Sequence, residues 1–230
     1  MTKLIKALIH KLTGERYTVV RTMNSLGRAR RTDVLSDEYI RVSTLELLVD
    51  EIQRRRVVGC AAELGVYKGD FARHINDLLP DRELILFDTF TGFDSDEIQH
   101  ELKAGYATVA DDFSRTSVDL VLSKMRFREK VSICQGFFPE SAATLPEKTY
   151  ALVSIDCDLH APILAGLHYF YPRLSPGGFL LVHDYNNSRY AGAKQAVDTF
   201  CGLNGIFPIP ITDSVGTAII CKPASSPLAQ

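Results

Sequence analysis

The chain lacks any apolar run approaching the roughly 18 residues that a membrane span needs. Its start, MTKLIKALIHKL, is interrupted by Lys6 before it reaches the length of a signal-peptide core. No membrane insertion and no secretion are therefore expected, and a cytoplasmic location is. No charge sign dominates: 26 Lys and Arg against 28 Asp and Glu leave a net charge of −2, without the strongly basic face of a nucleic-acid binder. The five cysteines (Cys60, Cys134, Cys157, Cys201, Cys221) are odd in number and scattered, which fits neither a disulfide framework nor a CxxC zinc site. Buried free thiols are expected instead. The dinucleotide fingerprint GxGxxG is also missing. What remains is a 230-residue chain, 46% hydrophobic, sized for one α/β domain with extensions and a small-molecule partner.

The first 31 residues carry eight Lys or Arg and one acid, Glu15, on a segment whose Leu4, Ile5, Leu8, Ile9 and Leu12 fall at helical spacing. A second helix is expected over 39–56, with Ser43 or Thr44 as its N-cap. Apolar strands then alternate with helical stretches. Strands are predicted at 57–63, 83–89, 131–137, 151–156 and 178–185, and the runs FPIPIT and TAIICK form a terminal hairpin. Continuous apolar strands separated by helices imply a mostly parallel sheet covered on both faces, seven-stranded with the antiparallel hairpin at its end. The expected organisation is an N-terminal helical extension (1–56), an α/β domain (57–223) with a long insert at 90–130, and a flexible tail (224–230). Inserts of that length tend to be lids, and Phe93, Tyr106 and Phe113 suit one that covers a ligand.

In a doubly wound sheet, ligands bind beyond the carboxyl ends of the strands. The first such end reads Glu63-Leu64-Gly65-Val66-Tyr67-Lys68-Gly69. Its ExGxxxG spacing is the form by which many S-adenosylmethionine (SAM) enzymes bring backbone close to the cofactor's amino-acid part. About twenty residues on, Asp88 ends the next strand, where a carboxylate can accept both ribose hydroxyls of an adenosine. Gln135 and Gly136, after the third strand, fall where an adenine edge could sit. Asp156-Cys157-Asp158 and His183-Asp184-Tyr185 end the next two strands. Buried carboxylates need compensation, and two neighbouring acidic strand ends suggest an oxygen-liganded cation such as Mg²⁺ or Ca²⁺. His74 and His168 fall inside predicted helices and read as ordinary helix residues.

The segments ELGVYKGDFA, LILFDTFTGFD, SIDCDLHAP, LAGLHYFYPRLSPGGFLLVHDYNN and GAKQAVDTF, in this order, resemble the macrocin O-methyltransferase family from about Tyr39 to Lys222. The resemblance implies a Rossmann-like class I methyltransferase fold and SAM-dependent, Mg²⁺-assisted O-methylation of a sugar or glycosylated natural product. It implies cofactor contacts at Glu63, Gly65, Tyr67, Gly69, Asp88, Gln135 and Gly136, metal ligands at Asp156 and Asp184, and a catalytic base at Asp158. His160, directly after the DxD block, is a candidate catalytic or acceptor contact. The chain departs from the family pattern in one respect: His183 stands where members tend to carry the first of two adjacent acids. Imidazole ligates Mg²⁺ poorly, so a weaker site, a softer metal with His183 as ligand, or help from Asn186 follows. A homodimer or larger assembly is expected. Two other classes compete: a methyltransferase fold kept for binding without turnover, and a nucleotide-dependent oxidoreductase, which the missing GxGxxG disfavours.

Overall fold

The computed structural model describes residues 2–14, 27, 30–33 and 38–223. Its contacts divide the chain into two units, Met1–Arg31 and Thr32–Gln230. In the first, α1 (Thr2–Leu12) is the helix that the apolar spacing predicts. The expected tail at 224–230 lies outside the described residues.

The larger unit begins with α2 (Tyr39–Arg54), which buries Val42, Leu45, Val49 and Ile52 in a hydrophobic cluster with strand residues. The helix expected to belong to the N-terminal extension thus packs as part of the sheet's own cover. Its expected N-cap is corrected: Ser43 is buried within the helix, and Thr44 Oγ1 donates to the Ile40 carbonyl one turn back.

The strands are β1 (Cys60–Leu64), β2 (Leu84–Asp88), β3 (Val131–Gln135), β4 (Tyr150–Ile155), β5 (Leu174–Val182), β6 (Ile209–Ile211) and β7 (Thr217–Cys221). They form one sheet in the order β3-β2-β1-β4-β5-β7-β6, in which β7 runs antiparallel to both of its neighbours. The expected seven-stranded, mostly parallel sheet with an antiparallel hairpin is therefore present. β1 and β4 are buried along their whole length, as strands covered on both faces must be. Side chains alternate between the faces with period two. Leu84 and Leu86 join the cluster containing α2 and α3 (Ala72–Leu78), whereas Ile85 and Phe87 join that of α6 (His160–Arg173) and α7 (Ala191–Asn204).

The connection between β2 and β3 holds α4 (Ser95–Ala104) and α5 (Val118–Ser123). It is tied down rather than loose. Buried Glu101 of α4 accepts from the backbone N–H groups of His160 and Ala161, which start α6. Asp111 pairs with Arg189 and accepts from the Tyr190 hydroxyl. All five cysteines are free, as expected, but not all are buried: Cys221, at the end of β7, is exposed and Cys157 is half-buried.

Candidate active site

The strand order reverses at β1 and β4, the switch point where a doubly wound sheet opens a crevice. A cavity of about 560 Å³ lies there, within the size range of small-molecule sites. It is lined by Glu63, Gly65, Tyr67, Asp88, Gly136, Asp156, Asp158, His183 and Asp184. Nine of the twelve residues singled out from sequence thus meet in one place. Gly69, Gln135 and His160 are not among its lining residues. Gln135 is exposed and donates to the Thr89 carbonyl, while His160 stacks on Tyr106 at 4.6 Å between ring centroids.

Strong backbone constraints shape the first turn. Gly65 has φ +81°, and a Cβ there would fall 2.1 Å from the Asp156 carbonyl oxygen. The glycine is required by the close passage of β1 past β4, whatever the ligand. Asp88 has an unexpected set of partners: Oδ2 accepts from the N–H groups of Val66 and Tyr67 at 2.7 and 2.8 Å, and Oδ1 accepts from that of Phe90 at 2.7 Å. The carboxylate therefore anchors the β1 turn to the β2 turn and retains one open lone-pair direction.

Glu63 sits deeper. Its register partner on β4 is Ser154, and two residues further along the same face comes Asp156. Burial, with Asp156 and Asp88 nearby, pushes Glu63 well above the usual carboxylate range. Arg41 of α2 reaches over this row. It is buried, its Nη2 lies 2.9 Å from Asp156 Oδ2 and 3.5 Å from Ser154 Oγ, and its guanidinium covers the Phe71 ring at 3.7 Å. Sequence reasoning missed Arg41. The available signal was a charged residue on the apolar stripe of a helix, one turn before Leu45 and two before Val49.

The ends of β4 and β5 form the acidic half. His183 Nδ1 lies 3.0 Å from both Asp156 Oδ1 and Asp184 Oδ2, and Asn187 Nδ2 donates to Asp184 Oδ1 at 2.7 Å. Burial would raise Asp156, but the His183 and Arg41 cations hold it well below its usual range. Burial likewise opposes the charged form of His183, yet Asp156 outweighs it and lifts the imidazole to about 10. Asp158 is driven the other way: burial, then Asp184 and Asp156, push it well above the ordinary carboxylate range. Asp158 and Asp184 both adopt left-handed backbone, with φ of 58° and 61°, a conformation that non-glycine residues hold only when the surroundings enforce it. Asp156, His183 and Asp184 each offer a ligand atom within 4.8 Å of the others.

A seven-stranded sheet of this order, with Glu63 in β1, Asp88 closing β2 and acids after β4 and β5, has the fold of the class I methyltransferases. The sequence model of the macrocin O-methyltransferase family matches residues 36–219, and the chain belongs to that family. It is a SAM-dependent O-methyltransferase. A mycinamicin III 3''-O-methyltransferase from Micromonospora griseorubida is 30% identical over 187 residues, covering 72% of this chain and 69% of the relative. A second relative, from Streptomyces olivaceus, is named the 4'-O-methyltransferase of a rhamnosyl tetracenomycin. It is 25% identical over 198 residues, covering 79% of this chain and 72% of its own length. Among solved structures, the O-methyltransferase NovP shares the fold with a TM-score of 0.65 at 23% identity over 80% of each chain. The calicheamicin methyltransferase CalS11 does so with 0.61 at 20% identity, over 83% of this chain and 86% of its own.

Proposed function

We propose that the chain methylates a hydroxyl on the sugar of a glycosylated small molecule, with Asp158 as the base and a divalent cation held by Asp156, His183 and Asp184. The observation that carries this reading is the meeting of the turns after β1 and β2 with the acidic ends of β4 and β5 in one cavity. Bound SAM supplies an activated methyl group on a sulfonium. The chain's own residues do the rest. Glu63, the Gly65–Gly69 turn and Asp88 bind the cofactor, with Gly136 at the adenine side. Asp158 accepts the acceptor's hydroxyl proton. A carboxyl raised by burial and neighbouring acids is tuned for that role, because a base works best with a pKa nearer the working pH.

Two carboxylates and an imidazole suit a divalent cation, and the imidazole favours Mn²⁺ or Zn²⁺ over Mg²⁺. Such a cation lowers the pKa of a coordinated hydroxyl. Without the cation, Arg41 and a protonated His183 neutralise the same carboxylates, and His183 would have to give up that proton to ligate a metal.

The acceptor class draws support from the rhamnosyl group in the name of one relative and from the aromatic faces of Tyr67, Phe93 and Phe113 in the cavity wall. Nine Asp or Glu against Arg41, Lys68 and Arg73 in that wall favour a neutral glycoside over a nucleotide-diphosphate sugar. The test is methyl transfer from labelled SAM to rhamnosides and to a thymidine-diphosphate sugar, with Mg²⁺, with Mn²⁺ and with chelator. Turnover of the glycoside, boosted by a cation, supports the reading. SAM binding without transfer to any hydroxyl would leave a binding protein and overturn it.

A further inference from the structure

Helix α6 starts directly after the turn that carries Asp158, and it starts without a cap of its own. Its N-cap position is Leu159, whose side chain has no acceptor for the N–H groups that a helix start leaves unmade. Those donors must find an acceptor elsewhere. The acceptor is Glu101: its Oε2 accepts from the His160 N–H at 3.0 Å and its Oε1 from the Ala161 N–H at 3.4 Å. Glu101 is 2% exposed and comes from α4, 59 residues earlier in the chain than His160. Burying a carboxylate is costly, and the two N–H groups together with the positive end of the helix dipole offset that cost.

The junction is closed by its other neighbours. The Tyr106 ring stacks on the His160 ring, and the Tyr106 carbonyl accepts from the N–H of Gly192, in the first turn of α7, at 2.8 Å. A Cβ at Gly192 would fall 2.8 Å from Tyr106 Cβ, 2.9 Å from His160 Cβ and 3.0 Å from Glu101 Oε2, so this fit requires a glycine. Neither Glu101 nor His160 lines the cavity, but Asp158 does, on left-handed backbone that its surroundings must enforce. A short acid beside a helix start ordinarily turns back to cap that helix. With Glu101 already on those donors, the Asp158 carboxyl is left to the cavity.

We propose that Glu101 is a positioning residue for the base: by capping α6 from another helix, it fixes the Asp158 turn and keeps the Asp158 carboxyl facing the acceptor. Glu101 acts through Asp158 and touches neither substrate nor cofactor. The role rests on Asp158 as the base of the proposed reaction. It also ties the β2–β3 connection, the segment expected to cover a ligand, to the group that takes the proton.

Methyl transfer from labelled SAM to rhamnosides tests this, measured in the parent chain, Glu101→Gln, Glu101→Ala, Asp158→Asn and the two double variants. Glu101→Ala removes both acceptor oxygens and should lower kcat about 10- to 100-fold, the range for a misplaced reacting group. Its calorimetric affinity for S-adenosylhomocysteine should stay within about twofold, and the stoichiometry of that titration counts the folded sites to which kcat is referred. Glu101→Gln keeps the shape and one acceptor oxygen, so its loss should be only about 3- to 10-fold. On the Asp158→Asn background there is no base to position, and either Glu101 substitution should cost less than about threefold more. A purely structural role would leave kcat per folded site unchanged in both single variants, which would overturn the proposal. So would the same fold-loss on both backgrounds. If Glu101→Ala fails to bind S-adenosylhomocysteine, Glu101→Gln decides by the same two comparisons. A parent chain without transfer, or one whose rate Asp158→Asn does not lower, would overturn the base assignment and the positioning role with it, a result distinct from a base that is lost in Asp158→Asn and indifferent to Glu101.

Discussion

The ends of β1 and β2 and the ends of β4 and β5 bear buried or half-buried acids at the same edge of one sheet, yet the acids do different work. Asp88 is engaged by three backbone N–H groups and acts as a brace between two turns. Asp156 is engaged by two cationic side chains and stays ionised. Glu63 and Asp158 lack such full compensation, and burial raises both. Position at a strand end brings a carboxylate to the ligand, but its partners decide whether it braces, binds or takes a proton.

This contrast can be broken most sharply at Asp158. Asp158→Asn should cut methyl transfer by about 10²- to 10⁴-fold while S-adenosylhomocysteine affinity is kept, as read by a radiolabel assay beside calorimetry. Because Asp158 is raised, it is protonated at low pH and gains its base form as pH rises. The rate in the intact chain should therefore climb with pH above the ordinary carboxylate range, and a flat profile would remove Asp158 from the role.

Gly65 comes next. Gly65→Ala drives a Cβ into the Asp156 carbonyl and strains a left-handed residue, for a loss of about 3 kcal/mol in urea unfolding. A variant of unchanged stability that lost only cofactor affinity would show that the glycine serves the ligand rather than the β1–β4 approach. Asp88→Ala leaves three N–H groups of two turns without their acceptor and should lower stability by about 1–3 kcal/mol, in addition to any loss of cofactor binding. Stability equal to that of the parent would return Asp88 to a purely ligand-binding part.

The smallest effect concerns the thiols. Cys221 is exposed and should be alkylated first at pH 8 without changing turnover, whereas burial pushes Cys60 up to about 11 and keeps it slow. Mass mapping of a time course checks the order. Cys157 lines the cavity, so S-adenosylhomocysteine should slow its labelling and leave that of Cys221 alone.

Much of the scaffold was legible because its signals are local. Short, mostly apolar runs such as ALVSI, bounded by turn residues, read as strands buried on both faces, and their alternation with helical stretches implies a parallel sheet. The strand-end acids were legible for the same reason: a carboxylate closing an apolar strand stands out in the sequence itself. Gln135 and His160 do not line the cavity, because a residue at the end of a strand, or at a helix start, faces whichever way the backbone turns there. Arg41 was passed over because its partners lie 113 and 115 residues away, and no spacing rule spans that distance.

The chain's sequence determined the class of fold, the edge of the sheet where the site forms and the residue types that gather there, since periodicity and strand ends are properties of neighbouring residues. Only the tertiary structure decided which carboxylate braces a turn, which is held ionised by Arg41 and His183, and which is raised. Charge state depends on burial and on partners brought together from distant segments, and these exist only once the sheet has closed over them.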